Sequence, residues 1–284
     1  MDIKNIGPFK LYTKTPNDIK YGEIYTMEVD LPILYSPSRT VRVYLPENFD
    51  KNKKYPVLFM SDGQNIVDKY TSAFGAWDID VHEHNLLNEG YSSFIVVGID
   101  CPVNPAHRAL EYSFPYINID RKEEGVELNK LNLEFESHLL FKYIAFDLLP
   151  LIRKYFPISN KKEDIGAAGS SMGGVFSFSL LSSYPDIFGF ALIFSPGFFL
   201  YPEKHVKEYL DSCISKLKNH KLYFYSGNIG FESKFLERTV ETFEYFKSQG
   251  FTENEIYLDV DLNGEHNEVC WSKHFEQAIK FCLP

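Results

Sequence analysis

Six short apolar runs constrain the fold of this chain more than any other feature, because segments of helical spacing separate them. The runs lie at residues 57–60, 94–97, 165–168, 191–194, 222–225 and 256–260. Most are apolar at nearly every position, which is typical of strands buried on both faces of a parallel sheet. Strands that alternate with helices imply right-handed βαβ crossovers. The pattern therefore predicts an α/β protein with a doubly wound, mostly parallel sheet of about eight strands.

Two further strands are predicted before this series, at residues 25–34 and 41–45. In the second of these strands, apolar residues alternate with Arg42 and Tyr44, as in a half-buried strand. We expect the two strands to pair in antiparallel fashion at the start of the sheet. Helical spacing marks three longer segments. They are residues 133–152, with Pro150 as a kink or boundary, residues 236–246, and a closing helix at 269–281.

Charge and cysteine content exclude several classes of partner. The 29 Lys and Arg against 39 Asp and Glu give a net charge of −10, which opposes binding to nucleic acid or anionic lipid. No segment has the length and apolarity of a membrane span or an export signal. The four cysteines, Cys101, Cys213, Cys270 and Cys282, lack the spacing of a zinc site or a disulfide framework. We therefore expect a cytoplasmic protein with reduced thiols, and the sequence indicates no oligomeric state.

The pentapeptide Gly169-Ser170-Ser171-Met172-Gly173 matches the GxSxG pattern of a nucleophile elbow. It lies between the predicted strand at 165–168 and a helical pattern at 175–183. In such an elbow the serine occupies a strained turn, and the flanking glycines allow close approach of the backbone. Ser171, at the centre of the motif, is the candidate nucleophile. The alternative is a glycine-rich helix start with a capping serine.

His266 is the candidate base for this serine. It lies in the loop 263–267, between the last predicted strand and the final helix, where an α/β-hydrolase carries its histidine. His274 falls inside the final helix instead. The pair His82 and His84 precedes the serine in the chain and is weak evidence for a metal site.

The acid that would orient His266 has several candidates. Glu232 follows the strand at 222–225 and is the carboxylate nearest to its end. The same position suits an ordinary first-turn glutamate that the helix dipole favours. Asp259 and Asp261 on the last strand are alternatives, and so is a serine–histidine dyad without an acid.

Acyl transfer also needs two backbone N–H groups directed at the developing oxyanion. One would come from Met172, the residue after the nucleophile. The other would come from the loop 61–65, which follows the strand at 57–60 and otherwise reads as a plain Asp-Gly turn. Trp77, Arg108, Tyr112 and Tyr116 are candidates to line the cleft, although core packing or lid support explains each of them equally well.

These motifs together resemble the putative-esterase family of α/β-hydrolases, which includes siderophore, feruloyl and acetyl-xylan esterases, S-formylglutathione hydrolases and mycolyltransferases. The matching segments are residues 39–46, 55–65, 96–100, Arg108 with 111–113, 169–174, 184–188, 195–196 and 264–266, in order over roughly residues 24 to 281. The resemblance implies Ser171 as nucleophile, His266 as base, and Gly63 and Gln64 with Met172 as the oxyanion hole. Glu232 departs from the family pattern, because the loop at 227–232 is longer than the usual Gly-x-x-acid turn.

The resemblance implies a single α/β-hydrolase domain over residues 1–284, with a lid or insertion at about 101–132, a stretch that is long, polar and not periodic. It implies a serine esterase that forms an acyl-enzyme on Ser171 and needs no cofactor or metal. An acyltransferase and a non-catalytic carbohydrate- or ligand-binding protein are the alternatives. The aromatic fraction of 16% suits an ester of a sugar, a phenolic acid or a siderophore.

Overall fold

One continuous sheet organises the part of the chain that the computed structural model describes, which is residues 5–13, 19–72, 74–115 and 134–283. Its ten strands lie in the order β1-β2-β3-β4-β6-β5-β7-β8-β9-β10. They are β1 (Asn5–Ile6), β2 (Phe9–Leu11), β3 (Glu23–Asp30), β4 (Ser38–Leu45), β5 (Val57–Ser61), β6 (Ile95–Ile99), β7 (Ile165–Ser170), β8 (Phe190–Phe194), β9 (Lys221–Gly227) and β10 (Ile256–Asp261).

The first four strands pair in antiparallel fashion, and β4 pairs antiparallel with β6. From β6 to β10 every pairing is parallel. This confirms the predicted α/β class with its antiparallel opening, although the sheet has ten strands rather than about eight. The strand predicted at 25–34 ends at Asp30, because the turn that follows contains Pro32 and closes with a hydrogen bond from Leu34 N–H to the Leu31 carbonyl.

Helices cover both faces of the sheet. Those in the described residues are α1 (Ile79–Asn88), α2 (Pro105–Glu111), α3 (Ser137–Tyr143), α4 (Leu149–Tyr155), α5 (Met172–Ser183), α6 (Glu203–Cys213), α7 (Ser233–Ser248), α8 (Glu268–Ser272) and α9 (Phe275–Cys282). A π-helical turn at Ile144–Leu148 joins α3 to α4. Pro150 lies in the first turn of α4, directly after the π-helical turn, and the N–H of Leu149 still donates to the carbonyl of Ile144. Pro150 therefore marks a boundary between two segments of one continuous helix.

The hydrophobic core is divided by the sheet into two clusters. Alternate residues of β5 enter different clusters: Phe59 belongs to the larger one, whereas Leu58 and Met60 belong to the smaller. This is the physical reason for the near-continuous apolar runs, since both faces of each central strand are covered. Helix α5 is the most enclosed helix, with every residue from Met172 to Ser182 buried.

The segment predicted as a lid contains a helix that periodicity did not predict. Asn104 caps α2 by accepting a hydrogen bond of 3.0 Å from the N–H of Ala106, and Pro105 occupies the first helical position. Residues 116–133, which hold the rest of that segment and Tyr116, lie outside the described residues. Within the described ranges, no helix is long and apolar enough to cross a bilayer.

Candidate active site

Ser171 occupies the sharp turn between β7 and α5. Its φ of 60° and ψ of −123° lie outside the regions that L-residues ordinarily adopt. Two hydrogen bonds hold it there: its N–H donates to the carbonyl of Phe194 at 3.0 Å, and its carbonyl accepts from the N–H of Gly197 at 3.1 Å. The strained serine between a strand and a helix is the geometry that a nucleophile elbow requires.

The glycines of the motif keep this turn tightly packed against β5. A Cβ added at Gly169 would collide with the Ser61 hydroxyl and with the backbone carbonyl of Gly173. One added at Gly173 would collide with the same hydroxyl. The elbow therefore lies directly against the carboxyl end of β5, where the loop carrying Gly63 begins.

His266 binds the carboxylate of Glu232 through Nδ1. Glu232 is fully buried and ends a short 3₁₀ turn (Gly230–Glu232) that follows β9. Because Nδ1–H donates to the carboxylate, Nε2 is left to act as an acceptor. Asp259 and Asp261, the other acidic candidates, instead contact His274 at 2.7 and 3.4 Å.

Three donors hold the Glu232 carboxylate in place. Oε2 accepts from His266, whereas Oε1 accepts from the N–H of Gly227 at 3.0 Å and from the hydroxyl of Ser195. Trp271 in turn donates from Nε1 to Ser195 Oγ at 2.9 Å. These bonds replace the hydration that a buried carboxylate loses, so the charge can be kept inside the protein.

A cavity of about 440 Å³ is lined by both the candidate nucleophile Ser171 and the candidate base His266. Its lining combines polar side chains with apolar ones such as Phe74 and Val103. The lining residues are Asp62, Gln64, Asn65, Thr71, Phe74, Cys101, Pro102, Val103, Pro105, Arg108, Ser170, Ser171, His266, Glu268 and Trp271. The cavity lies at the carboxyl ends of the parallel strands, where α/β sheets bind ligands. A larger hollow of about 640 Å³ lies at the opposite edge, beside Tyr55, Gly189 and Lys221, and contains none of the candidate residues.

The loop predicted to complete the oxyanion hole forms a 3₁₀ turn, Gly63–Asn65. A Cβ at Gly63 would lie 2.6 Å from the carbonyl carbon of Gly98, so the turn packs directly on β6. The side chain of Gln64 bonds Cys101 twice, accepting from its N–H at 3.0 Å and donating to Sγ at 3.2 Å. Met172 begins α5, and a first-turn N–H has no acceptor within its helix.

An ion pair ties α2 to the same loop. Arg108 donates to both carboxylate oxygens of Asp62, at 2.7 and 2.9 Å. Asp62 itself has a positive φ of 53°, and its N–H donates to the hydroxyl of Tyr112 at 3.0 Å. These contacts fix the residue that immediately precedes Gly63.

Of the four residues predicted to line the cleft, the structure places one in the cavity wall and two in the hydrophobic core. Arg108 does line the cavity, with its guanidinium already bound to Asp62. Trp77 packs on Trp271 in the smaller core cluster, and Tyr112 is buried in the larger one, so neither is retained as a wall residue. An aromatic residue beside a strand end suits core and cleft equally, which is why sequence could not distinguish the two. Tyr116 lies outside the described residues.

Sequence reasoning missed four residues of the site. Ser195 and Trp271 support Glu232, and Asn65 and Glu268 bond each other at 2.7 Å in the cavity wall. Ser195 and Asn65 lie in segments that carried a signal, 195–196 and 61–65, but no role was predicted for their side chains. Trp271 is one of only two tryptophans in the chain, and Glu268 carried no signal, because its approach to Asn65 depends on the whole fold.

Comparison with known proteins places the chain in a family. The family model described as putative esterase matches residues 36–281. The uncharacterized protein YbbA of Bacillus subtilis (strain 168) is 20% identical over 251 residues, which are 86% of this chain and 92% of that protein.

Solved structures share the fold at low sequence identity. A ferulic acid esterase has a TM-score of 0.67 at 17% identity, covering 93% of this chain and 98% of its own. The BES protein from Bacillus cereus has a TM-score of 0.70 at 18% identity, with 92% and 95% covered. The ferric enterobactin esterase of Salmonella typhimurium has a TM-score of 0.63 at 17% identity, with 91% and 57% covered. The fold is that of the α/β-hydrolase esterases, and the protein belongs to the putative esterase family, a family of carboxylic ester hydrolases.

Proposed function

We propose that the protein is a serine esterase that hydrolyses a carboxylic ester through an acyl-enzyme on Ser171. One observation carries the proposal: Ser171 on its strained turn and His266 line the same cavity, while buried Glu232 binds Nδ1 of that histidine. These positions support Ser171 as nucleophile, His266 as base and Glu232 as orienting acid of an acyl-transfer reaction.

In the acylation step, Nε2 of His266 removes the proton of Ser171 as Oγ attacks the ester carbonyl carbon. Glu232 holds the imidazole in the required tautomer and stabilises the imidazolium that forms. The carbonyl oxygen becomes an oxyanion, for which the N–H of Met172 and a backbone N–H at Gly63 or Gln64 are the proposed donors. Collapse of this intermediate expels the alcohol, which takes its proton from His266.

In the deacylation step, a water molecule replaces the alcohol. His266 removes a proton from the water as it attacks the acyl carbonyl carbon. When the second tetrahedral intermediate collapses, the bond between the acyl carbon and Ser171 Oγ breaks, and the protonated His266 returns the proton to Oγ. The products are the carboxylic acid and the free enzyme.

The cavity walls favour a substrate with both apolar and hydroxylated parts. Phe74 and Val103 stand at the cavity and are largely exposed, whereas Gln64 and Thr71 contribute polar side chains to its lining. The volume of about 440 Å³ suits a small ligand rather than a long acyl chain. We therefore propose an ester of a sugar, a phenolic acid or a siderophore, in line with the ferulic acid esterase and the ferric enterobactin esterase that share the fold.

Further features of the chain belong to the same proposal. All strands of the described residues lie in one sheet, which supports a single domain, and residues 101–132 would act as its lid. The four cysteines carry free thiols, which supports a reducing, cytoplasmic setting.

Hydrolysis of p-nitrophenyl acetate by the wild type, Ser171→Ala and His266→Ala tests the proposal. We expect each substitution to lower kcat by about 10⁴-fold or more. Ser248→Ala, which alters an exposed serine at the end of α7, is the matched control. Covalent labelling by a fluorophosphonate should modify the peptide that contains Ser171. Equal rates in the wild type and Ser171→Ala would overturn the proposal, and product analysis with an added alcohol distinguishes hydrolysis from transfer.

A further inference from the structure

A buried hydrogen bond joins the two loops that carry the proposed base and oxyanion hole. Asn65 donates from Nδ2 to Oε1 of Glu268 at 2.7 Å, across a separation of 203 residues. Asn65 ends the 3₁₀ turn that contains Gly63 and Gln64. Glu268 begins α8, two residues after His266. Both side chains line the catalytic cavity.

Stability alone does not favour a glutamate at this position. Glu268 is 6% exposed and Asn65 is 7% exposed. Their second oxygens, Oε2 of Glu268 and Oδ1 of Asn65, are buried and have no hydrogen-bond partner in the described part of the chain. A buried polar atom without a partner costs about 1 to 3 kcal/mol. An apolar pair of similar size would avoid that cost, so the pair points to a role in the reaction.

The surroundings of Glu268 keep its carboxyl group poised between two protonation states. Burial raises the pKa of Glu268 to about 7, and the carboxylate of Asp62 adds to the shift. The backbone N–H of Glu268 itself, the charge of Arg108 and the hydrogen bond from Asn65 oppose it. In the neutral form the proton resides on Oε2, because Oε1 accepts from Asn65. The hydrogen bond from Asn65 to Glu268 Oε1 is therefore kept in both protonation states. When the carboxyl group of Glu268 is ionised, it adds a second buried negative charge near Asp62.

Helix α8 also contacts the other parts of the site. Trp271 donates to Ser195, which supports Glu232. Ser272 donates from Oγ to the carbonyl of Trp77 at 2.9 Å, and the N–H of Trp77 donates to the carbonyl of Asn65 at 2.8 Å. Through these contacts, α8 connects the loop that carries His266 to Glu232 and to the 3₁₀ turn that contains Gly63 and Gln64.

We propose that Glu268 is a positioning residue of the esterase, whose hydrogen bond to Asn65 fixes the distance between His266 and the oxyanion turn at Gly63 and Gln64. The inference rests on the proposed function, because it assigns a role within that reaction. Misplacement of a catalytic group by 1 Å can cost about 100-fold in rate. Since the alignment matters most in the transition state, the effect should fall on kcat rather than on KM.

A double-mutant cycle with Asn65→Ala and Glu268→Ala tests this link. Each single variant should lower kcat by about 10- to 100-fold while KM changes by less than about 3-fold. The double variant should lose no more than the worse single one, because both remove the same bond. Glu268→Gln retains an acceptor oxygen for Asn65 and should keep kcat within about 3-fold of the wild type, with a flatter pH profile near pH 7.

A reversed pair gives a second test that does not depend on the alanine variants folding. Asn65→Asp opposes two carboxyl groups and should lower kcat more at about pH 8 than at about pH 5.5. Combining Asn65→Asp with Glu268→Gln restores one amide-to-carboxylate bond in the opposite direction, so kcat should recover. A residue needed only for folding would not show this rescue.

Glu136→Gln is the matched control. Like Glu268, Glu136 is buried, its Oε1 accepts a hydrogen bond, here of 2.6 Å from the N–H of Tyr35, and its Oε2 has no partner in the described part of the chain, but it does not line the cavity. Its kcat should equal that of the wild type. Unchanged kcat in Glu268→Ala, additive losses in the double variant, or no recovery in the reversed pair would each overturn the inference alone. A wild-type rate no higher than that of Ser171→Ala would overturn the proposed function, and the inference with it.

Discussion

The indole N–H of Trp271 donates a hydrogen bond of 2.9 Å to the hydroxyl oxygen of Ser195, and that hydroxyl donates to Oε1 of Glu232. The edge of the same indole also meets the ring of His266, with the ring centroids 4.8 Å apart. Trp271 therefore supports both members of the His266–Glu232 pair, one by a hydrogen bond through Ser195 and the other by packing.

Removal of either support should slow the reaction without abolishing it. Ser195→Ala removes one donor to Glu232, and Trp271→Phe removes the donor that holds the Ser195 hydroxyl in place, so we expect each to lower kcat by about 3- to 30-fold. Kinetics on p-nitrophenyl acetate measure the effect. Ser182→Ala is the control, because Ser182 is also a buried, hydrogen-bonded serine but contacts Tyr209 instead. A loss of stability with unchanged kcat would contradict the prediction.

Substitution of Glu232 should identify it as the orienting acid. Glu232→Gln removes the charge that stabilises the imidazolium and should lower kcat by about 10³- to 10⁴-fold. Asp259→Asn and Asp261→Asn serve as comparisons, because both carboxylates contact His274. Their kcat should stay within about 3-fold of the wild type. A larger loss in either aspartate variant than in Glu232→Gln would reassign the acid.

The packing of the elbow predicts that Ser61→Ala restores the stability lost in Gly173→Ala but not the stability lost in Gly169→Ala. Gly173→Ala should destabilise the protein by about 1 to 3 kcal/mol, because the new Cβ collides with the Ser61 hydroxyl. That hydroxyl is buried without a partner in the described residues, so adding Ser61→Ala should restore most of the stability. Gly169→Ala should not be rescued in this way, because its Cβ also meets the backbone carbonyl of Gly173. Denaturant unfolding of six proteins measures both outcomes: the wild type, each glycine variant alone, each combined with Ser61→Ala, and Ser61→Ala alone as control.

A buried carboxyl away from the site predicts a pH dependence of stability. Burial raises the pKa of Glu83 from 4.5 to about 7, although weak hydrogen bonds from Ser93 and Tyr44 oppose the shift. The folded state then binds the proton more tightly than the unfolded chain, so this contribution to the free energy of unfolding is full below about pH 4.5 and is lost as pH rises through about 7.

Glu83→Gln should therefore flatten the decline in stability between about pH 4.5 and pH 7, by about 3 kcal/mol. Urea unfolding at several pH values in this range measures it. Glu237→Gln, which removes an exposed carboxylate from α7, is the control. Parallel pH curves for the wild type and Glu83→Gln would contradict the assignment of the shift to Glu83.

Features encoded by local periodicity were predicted from the sequence. The central strands follow from runs such as that around Leu58, since a strand covered on both faces must be apolar throughout. The Ser171 turn follows from glycines at fixed offsets, because the steric demand of the elbow is local. The sequence did not separate cleft from core: Trp77 and Tyr112 lie beside strand ends, yet both are buried in the hydrophobic clusters.

The sequence by itself determined the strand series, the elbow at Ser171 and the position of His266 after the last strand, because each depends on residues close together in the chain. Only the tertiary structure decided which carboxylate binds His266 and which side chains support it. Ser195 and Glu232 are 37 residues apart, and Asn65 and Glu268 are 203 residues apart. Such pairs leave no periodic pattern in the sequence, since their contact depends on how the parallel strands bring the loops at their carboxyl ends to one edge of the sheet.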